Sequence, residues 1–416
     1  MLAYLPTAVA AEDNNGAIAV PLRKLLTPDF DKLAFDAYKT KFMYLACHVT
    51  SEDDDERKHW PDCCFEMGYE NYYSDAYEDR HWRSVAAHPI VPLRNLALHP
   101  ATCALHYGPA VFEGTKAFLS AKNRVVLFRP EMNAKRLQKS AGRVLVPKVP
   151  LDMFLEAVAK AALANREFIP PFHAANWAWE TRNPMCLYVR PLLFGHGPQL
   201  GVRPAKDHLF LVYTSPVRAY YSTSGMRVLI TRSFHRAAPG GTGNTKAASN
   251  YVSGLLPTQL ARRGYDWVND KPVRVSEEPF NDVLYLDAVH NKYIEEFSGA
   301  NFLAVTTEGT LVSPKSDSIL PGVTRDSVIM LAKEMGIKVE QRRLSVQEVM
   351  NPKDIAEVFC TGNAAVITPI VTIYHNGETR TFEVDKMKTV RKLWDLLVGI
   401  QLQIREDHLG WVQEIG

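Results

Sequence analysis

The stretch Arg236-Ala-Ala-Pro-Gly-Gly-Thr-Gly-Asn-Thr-Lys246-Ala-Ala-Ser-Asn-Tyr251 constrains this chain more than any other. Gly240, Gly241 and Gly243 follow Pro239, so the backbone is free to take positive φ and to approach a ligand closely. A strand-forming run, Met226–Ile230, precedes the loop, and helix-forming residues follow Lys246 at once. Pro257 should kink that helix, which ends near Arg263-Gly264. Lys246 is thus expected at the head of a helix, where a partly desolvated amine can attack a carbonyl. On the loop alone, a solvated lysine, a nucleotide-phosphate loop and a carbonyl-binding amine all remain open.

A chain of 416 residues suggests two domains or more. Its 48 basic and 46 acidic residues nearly cancel, so neither nucleic acid nor a membrane surface is expected as a partner. Six cysteines form no disulfide framework, which favours a reducing compartment. His59, Cys63 and Cys64 lack a fourth ligand at suitable spacing, and no metal is expected. No apolar run reaches the roughly 18–20 residues that span a bilayer. The N-terminal apolar run has no positive charge before it, and Glu12 and Asp13 follow. The expectation is a cytoplasmic protein, with a mitochondrial or plastid address open.

Residues 1–95 read as irregular and aromatic-rich, with short strands at best. Pro130-Glu131 opens a helix carrying Arg136, and Leu151, Phe154, Leu155, Val158 and Ala162 recur at helical spacing. Strands are expected at 124–128, 187–190, 209–213, 226–230, 282–286, 291–295, 302–305, 310–312 and 357–359. Helix signals recur at Ser327–Met335, closed by Gly336, and at the capping box Ser345-x-x-Glu348. The pattern gives an α/β (α+β) chain in two domains, residues 1–214 and 226–416, joined by a Tyr-, Ser- and Gly-rich linker at 215–225.

Several residues besides Lys246 can do chemistry. Arg136 is either a surface arginine or a fixed positive charge for an anion. Pro321-Gly-Val-Thr324 places a tight turn where a helix starts, and the free N–H groups of such a turn hold anions. Glu295-Glu296 ends a strand and offers a carboxylate to a cationic ring nitrogen, or is an exposed pair. Tyr188 and Arg190 alternate along a strand and so share a face, where an arginine wants a carboxylate partner.

Taken together, these motifs resemble the fold-type IV pyridoxal-phosphate enzymes, and within them the branched-chain amino-acid aminotransferases. The resemblance covers about residues 85–416 and is densest at His106–Gly114, Phe128–Ser140, Leu187–Val202, Arg236–Tyr251, Asp282–Asn301, Leu320–Asp326 and Phe359–Pro369. It implies a smaller N-terminal and a larger C-terminal α/β domain with the cofactor, pyridoxal 5'-phosphate, between them. Lys246 would carry the cofactor and shuttle the proton between Cα and C4′. Tyr251 would bond the cofactor's phenolic oxygen and Glu296 its ring nitrogen. Leu320 would pack on the ring. Arg136, with backbone groups of Val323 and Thr324, would bind the phosphate. The resemblance also implies an apolar substrate wall of Phe112, Tyr107, Val202 and Tyr220, part of it donated by the partner in a homodimer. Tyr188 and Arg190 would receive the side-chain carboxylate of glutamate, and Ala364 and Ala365 the α-carboxylate.

The implied reaction moves an amino group between leucine, isoleucine or valine and 2-oxoglutarate. The chain departs from the family at Asn363, where threonine is usual, so a phosphate contact is expected to be weakened modestly. Residues 52–82, 172–184 and 266–280 look like insertions, and no C-x-x-C stands near 360–370. Within the fold, D-amino-acid aminotransferase and aminodeoxychorismate lyase are the near rivals, disfavoured by Tyr188-Val-Arg190-Pro and the glycine loop. A nucleotide switch fails because Thr245 precedes and Ala247 follows the lysine. A dead scaffold fails because Lys246, Glu296, Arg136 and Tyr251 are all present.

Overall fold

A computed structural model describes residues 29–49, 82–84, 88–182, 184–221 and 224–416. His59, Cys63, Cys64 and nearly all of the first insertion lie outside these residues.

Two sheets organise the chain. The first runs, strand by strand, Trp82–Ser84, Phe42–Val49, Asp207–Val217, Cys186–Gly195, Thr115–Leu119, Val125–Phe128 and Val412–Glu414, with every pairing antiparallel. The segment before residue 95 therefore does more than its irregular sequence promises. Phe42–Val49 is an eight-residue strand next to one edge of this sheet, where Met43, Leu45 and Cys47 on one face and Tyr44 and Ala46 on the other are all buried. A strand covered on both faces loses the alternation that would betray it. By contrast, of the apolar residues that recur at strand-like spacing from Ile90 to Leu98, only Ile90–Pro92 form a strand. The Pro130–Arg143 and Leu151–Ala164 helices form as expected and pack together, the second also lying against the sheet.

The second sheet holds Ile294–Phe297, Asp282–Leu286, Met226–Ile230, Val366–His375, Ile355–Gly362 and Asn301–Thr306 in that order. Glu296 pairs with Asn301, joining the first of these strands to the last, so the six close into a ring. Closure leaves no free edge within the ring. The Val323–Glu334 and Lys388–Gln401 helices pack on its outside. The strands expected at 302–305 and 310–312 pair as a hairpin about Glu308-Gly309, and a small separate hairpin, Tyr265–Val268 with Lys271–Arg274, occupies most of the 266–280 segment.

Further features differ from the sequence reading. The Asp207–Val217 strand runs past residue 214, and the chain's end returns to the first sheet, Val412–Glu414 pairing with Val125–Phe128. After Lys246 the backbone forms a 3₁₀ helix, Ala248–Gly254, before the short α-helix Leu255–Ala261. Pro257 falls in the first turn of that α-helix, where its missing N–H costs nothing, so it starts a helix rather than kinking one.

Candidate active site

A cavity of about 470 Å³ opens between the two sheets. Lys246 reaches it because two strands' worth of backbone hold its loop. The Phe112 N–H donates to the Lys246 carbonyl at 3.1 Å, and Val111 bridges Ala247. The Lys246 N–H in turn donates to Ser140 Oγ at 3.0 Å. Ser140 lies one helical turn beyond Arg136, so one helix face fixes both the lysine backbone and the arginine. Asn250 ties the loop to itself, its Nδ2 donating to the carbonyls of Thr242 and Thr245 at 2.7 Å each. Of the three loop glycines only Gly240 takes positive φ, at 78°. Gly243 serves the other purpose: a Cβ there would overlap the Ser318 carbonyl.

The Lys246 amine is half-buried. Its Nζ donates to Tyr251 Oη at 2.8 Å and stands 4.6 Å from the centroid of the Phe112 ring.

Glu296 stands in the cavity wall at the ring closure, buried. Its Oε1 accepts from Arg236 Nη2 at 2.7 Å and from the Leu320 N–H at 2.8 Å, and its Oε2 accepts from Asn301 Nδ2 at 2.6 Å. Burial pushes its carboxyl above the ordinary carboxylate range, and Arg236 and the Leu320 N–H pull against that shift. Each carboxylate oxygen accepts about two hydrogen bonds, so one acceptor position on Oε2 is left.

Arg136 also lines the cavity. Its Nε and Nη2 fork onto the two oxygens of Glu113 at 2.7 Å each, and Nη1 donates to the Pro321 carbonyl at 3.0 Å. Pro321 leads into the Val323–Glu334 helix, whose N-cap, Gly322, supplies no side-chain cap. The uncapped first-turn N–H groups and the arginine thus make an anion cradle. Thr324 does not line the cavity. Its hydroxyl donates to Asn363 Oδ1 at 2.8 Å, while Asn363 Nδ2 donates to the Gly114 carbonyl. Asn363 thereby ties the Gly362–Val366 turn to the helix start.

Phe112, Tyr188, Arg190 and Tyr220 also line the cavity. Arg190 Nη2 donates to Tyr188 Oη at 3.3 Å, and its guanidinium carbon lies 4.7 Å from the Phe112 ring centroid. Its Nε is buried without a hydrogen-bond partner. A Cβ on Gly114 would overlap the Tyr188 hydroxyl, so a larger residue there would displace that ring.

Sequence reasoning placed Phe112, Arg136, Tyr188, Arg190, Tyr220, Lys246, Tyr251, Glu296, Leu320, Val323, Asn363 and Ala364 in one site, and all twelve line the cavity. Ala365 lies buried beside it. Tyr107 and Val202 are not brought in: they are 42% and 84% exposed, on a surface shared with Leu105 and Leu200. Tyr107 Oη donates to the Leu200 carbonyl there.

Reasoning from sequence missed Glu113, Ser140, Arg236, Asn250 and Asn301, which act on other site residues. It also missed Phe35, whose ring meets those of Tyr188 and Tyr220 at 5.2 and 4.9 Å. Glu113 and Arg236 both stand inside stretches already singled out. Nothing in local spacing says which distant charge each would meet. Among the described residues no group of side chains could hold a metal, and the four described cysteines are free.

The amino-transferase class IV family matches residues 273–373. The chain is 39% identical over 331 residues to a branched-chain-amino-acid aminotransferase of Helicobacter pylori, covering 79% of this chain and 89% of that one. It is 37% identical over 329 residues to the chloroplastic branched-chain-amino-acid aminotransferase 2 of Arabidopsis thaliana, covering 78% of each. The solved branched-chain amino acid aminotransferase of Escherichia coli superposes with a TM-score of 0.65 at 28% identity, over 79% of this chain and 97% of that one.

Proposed function

The chain belongs to the branched-chain amino-acid aminotransferases, and from that membership we propose how its own residues carry the transamination. The observation that supports the assignment is the layout of the cavity. A half-buried amine at Lys246 stands between unsatisfied donors at Arg136 and an unsatisfied acceptor position on Glu296. That set suits pyridoxal 5'-phosphate, a group with an aldehyde, an anionic end and a ring nitrogen. When bound, pyridoxal phosphate supplies an aldehyde that takes up the amino group and a cationic ring that draws electrons from the substrate Cα.

Each residue then has one task. Lys246 Nζ would tether the cofactor and carry the proton taken from the substrate Cα. Tyr251 Oη would orient that amine and bond the cofactor's phenolic oxygen. Glu296 Oε2 would keep the ring nitrogen protonated, and Leu320 would pack on the ring. Arg136 and the N–H groups of Val323 and Thr324 would bind the phosphate, with Asn363 acting through Thr324. The rings of Phe112, Tyr188, Tyr220 and Phe35 exclude water from an aliphatic side chain. The N–H groups of Ala364 and Ala365 hold the α-carboxylate.

The amino acceptor is 2-oxoglutarate. Its distal carboxylate goes to Arg190, whose buried Nε lacks a partner, and to Tyr188. Tyr107 and Val202, exposed on this chain, are donated to the cavity of a second copy in a homodimer.

Purified protein should show a visible absorbance band that borohydride bleaches, with the adduct on Lys246. A colourless protein that pyridoxal phosphate does not reconstitute, or an adduct on another residue, overturns the assignment. The acceptor is tested separately. Arg190→Leu should lose the 2-oxoglutarate half-reaction and keep the leucine one. Equal loss of both removes the arginine from acceptor recognition.

A further inference from the structure

Glu113 stands on the turn between the Ala110–Phe112 and Thr115–Leu119 strands and is fully buried, with 0% exposure. It touches no part of the cavity, yet both oxygens of its carboxylate are hydrogen-bonded, Oε2 also accepting from the Gly114 N–H at 3.3 Å. Oε1 accepts from Arg136 Nε, and Oε2 accepts from Arg136 Nη2 at 2.7 Å and from Asn133 Nδ2 at 2.9 Å. Asn133 is also fully buried, and its Nδ2 further donates to the Gly114 carbonyl at 3.3 Å. The Glu113 backbone is fixed as well, its N–H donating to the carbonyl of Pro191 at 2.8 Å.

A guanidinium has five N–H donors in a rigid fork. Glu113 takes one on Nε and one on Nη2, and Pro321 takes one on Nη1. The two that remain are one on each terminal nitrogen. A planar group held along one edge cannot rotate, so its free donors keep one direction. The pair also cancels the arginine's formal charge. What Arg136 offers an anion is therefore aimed hydrogen bonds more than net charge.

We propose that Glu113, buttressed by Asn133, is the positioning residue that aims Arg136 at the phosphate of the cofactor, and so sets the enzyme's preference for the phosphorylated form. This rests on the reading that the Arg136 end of the cavity takes the phosphate. Glu113→Gln puts an amide where a carboxylate accepted two guanidinium bonds. The Gln NH₂ then faces arginine N–H groups, and the fork is lost while side-chain volume is kept.

The test is a titration of apoprotein, followed by visible absorbance, with two ligands: pyridoxal 5'-phosphate and pyridoxal, which lacks the phosphate. The parent should bind the phosphorylated ligand far more tightly. Glu113→Gln should weaken pyridoxal phosphate at least about tenfold, the loss of one charge-assisted contact. It should leave pyridoxal within about twofold, since that ligand does not reach Arg136. In an Arg136→Lys background, Glu113→Gln should add little, because the fork is already gone.

Equal weakening of both ligands would assign Glu113 a merely structural role. Unchanged or tighter binding of pyridoxal phosphate would also overturn the proposal. Parent protein that does not discriminate between the ligands would instead overturn the phosphate reading itself. If Glu113→Gln does not fold, Asn133→Ala takes its place. It keeps the ion pair but removes the buttress, and should weaken only the phosphorylated ligand, by a smaller factor. No selective loss there counts against the proposal equally.

Discussion

The cavity contains two arginine–glutamate pairs built from the same chemistry and turned opposite ways. At one end Glu113 lies behind and Arg136 faces the cavity. At the other both side chains border the cavity, but Arg236 is spent on the carbonyls of Gly243 and Ser318 and on Glu296, and it is Glu296 that keeps an acceptor position. A lone charge of either sign at such depth would be costly, so each is delivered with a counter-ion. Turning the pair around chooses whether the site presents donors or an acceptor. The fold thereby sorts the two ends of one ligand without carrying net charge at either.

Lys246, between the pairs, gives the largest expected effect. Lys246→Ala should abolish the visible band and lower turnover roughly ten-thousandfold, the upper scale of positioned proton transfer. Retention of turnover would mean that another group moves the proton.

The two ends should then fail differently. Glu296→Gln should lower turnover at saturating cofactor by roughly a hundredfold to a thousandfold, as loss of one aimed electrostatic contact does. Arg136→Gln should mainly weaken cofactor binding, by about 1.5–3 kcal/mol, or ten- to a hundredfold. It should also destabilise the apoprotein, because Glu113 loses its counter-ion. If both variants lost turnover and affinity in the same ratio, the division of labour between the ends would be wrong.

Arg236→Met sharpens the comparison through pH. Burial raises the Glu296 carboxyl above its unfolded value and Arg236 opposes that shift, so removing Arg236 raises it further. A raised acid keeps its stability below its unfolded value and loses it as pH climbs through the folded one. The fall in Tm of the apo variant relative to its parent should therefore be larger at about pH 8 than at about pH 5. A pH-independent difference would mean that Arg236 acts only through the carbonyls it bonds.

The smallest effect is expected at Asn363. Its amide is committed to the Gly114 carbonyl and its oxygen to the Thr324 hydroxyl. Asn363→Thr cannot keep both bonds and should change cofactor retention by no more than about 1 kcal/mol. A gain of tenfold in retention would restore a direct phosphate role to this position.

Much of this site was legible as sequence because its residues sit in short runs with local rules. A glycine loop before a lysine, an alternating Tyr188 and Arg190, and a helix start at Gly322 each carry their geometry within a few residues. The Phe42–Val49 strand was hard to read because both its faces are covered. The 3₁₀ helix after Lys246 was hidden because its residues suit either helix type.

The supporting residues were illegible for a different reason. Glu113 meets Arg136 across 23 positions, and Asn301 meets Glu296 only because a strand ring closes there. The sequence alone determined the local elements, since propensity and hydrophobic period act over one or two turns of chain, and through its resemblance to a family it named the reacting amine and most of the residues that face the cavity. Only the tertiary structure decided which buried charges pair and which way each pair points, because burial removes the water that would otherwise screen every such choice.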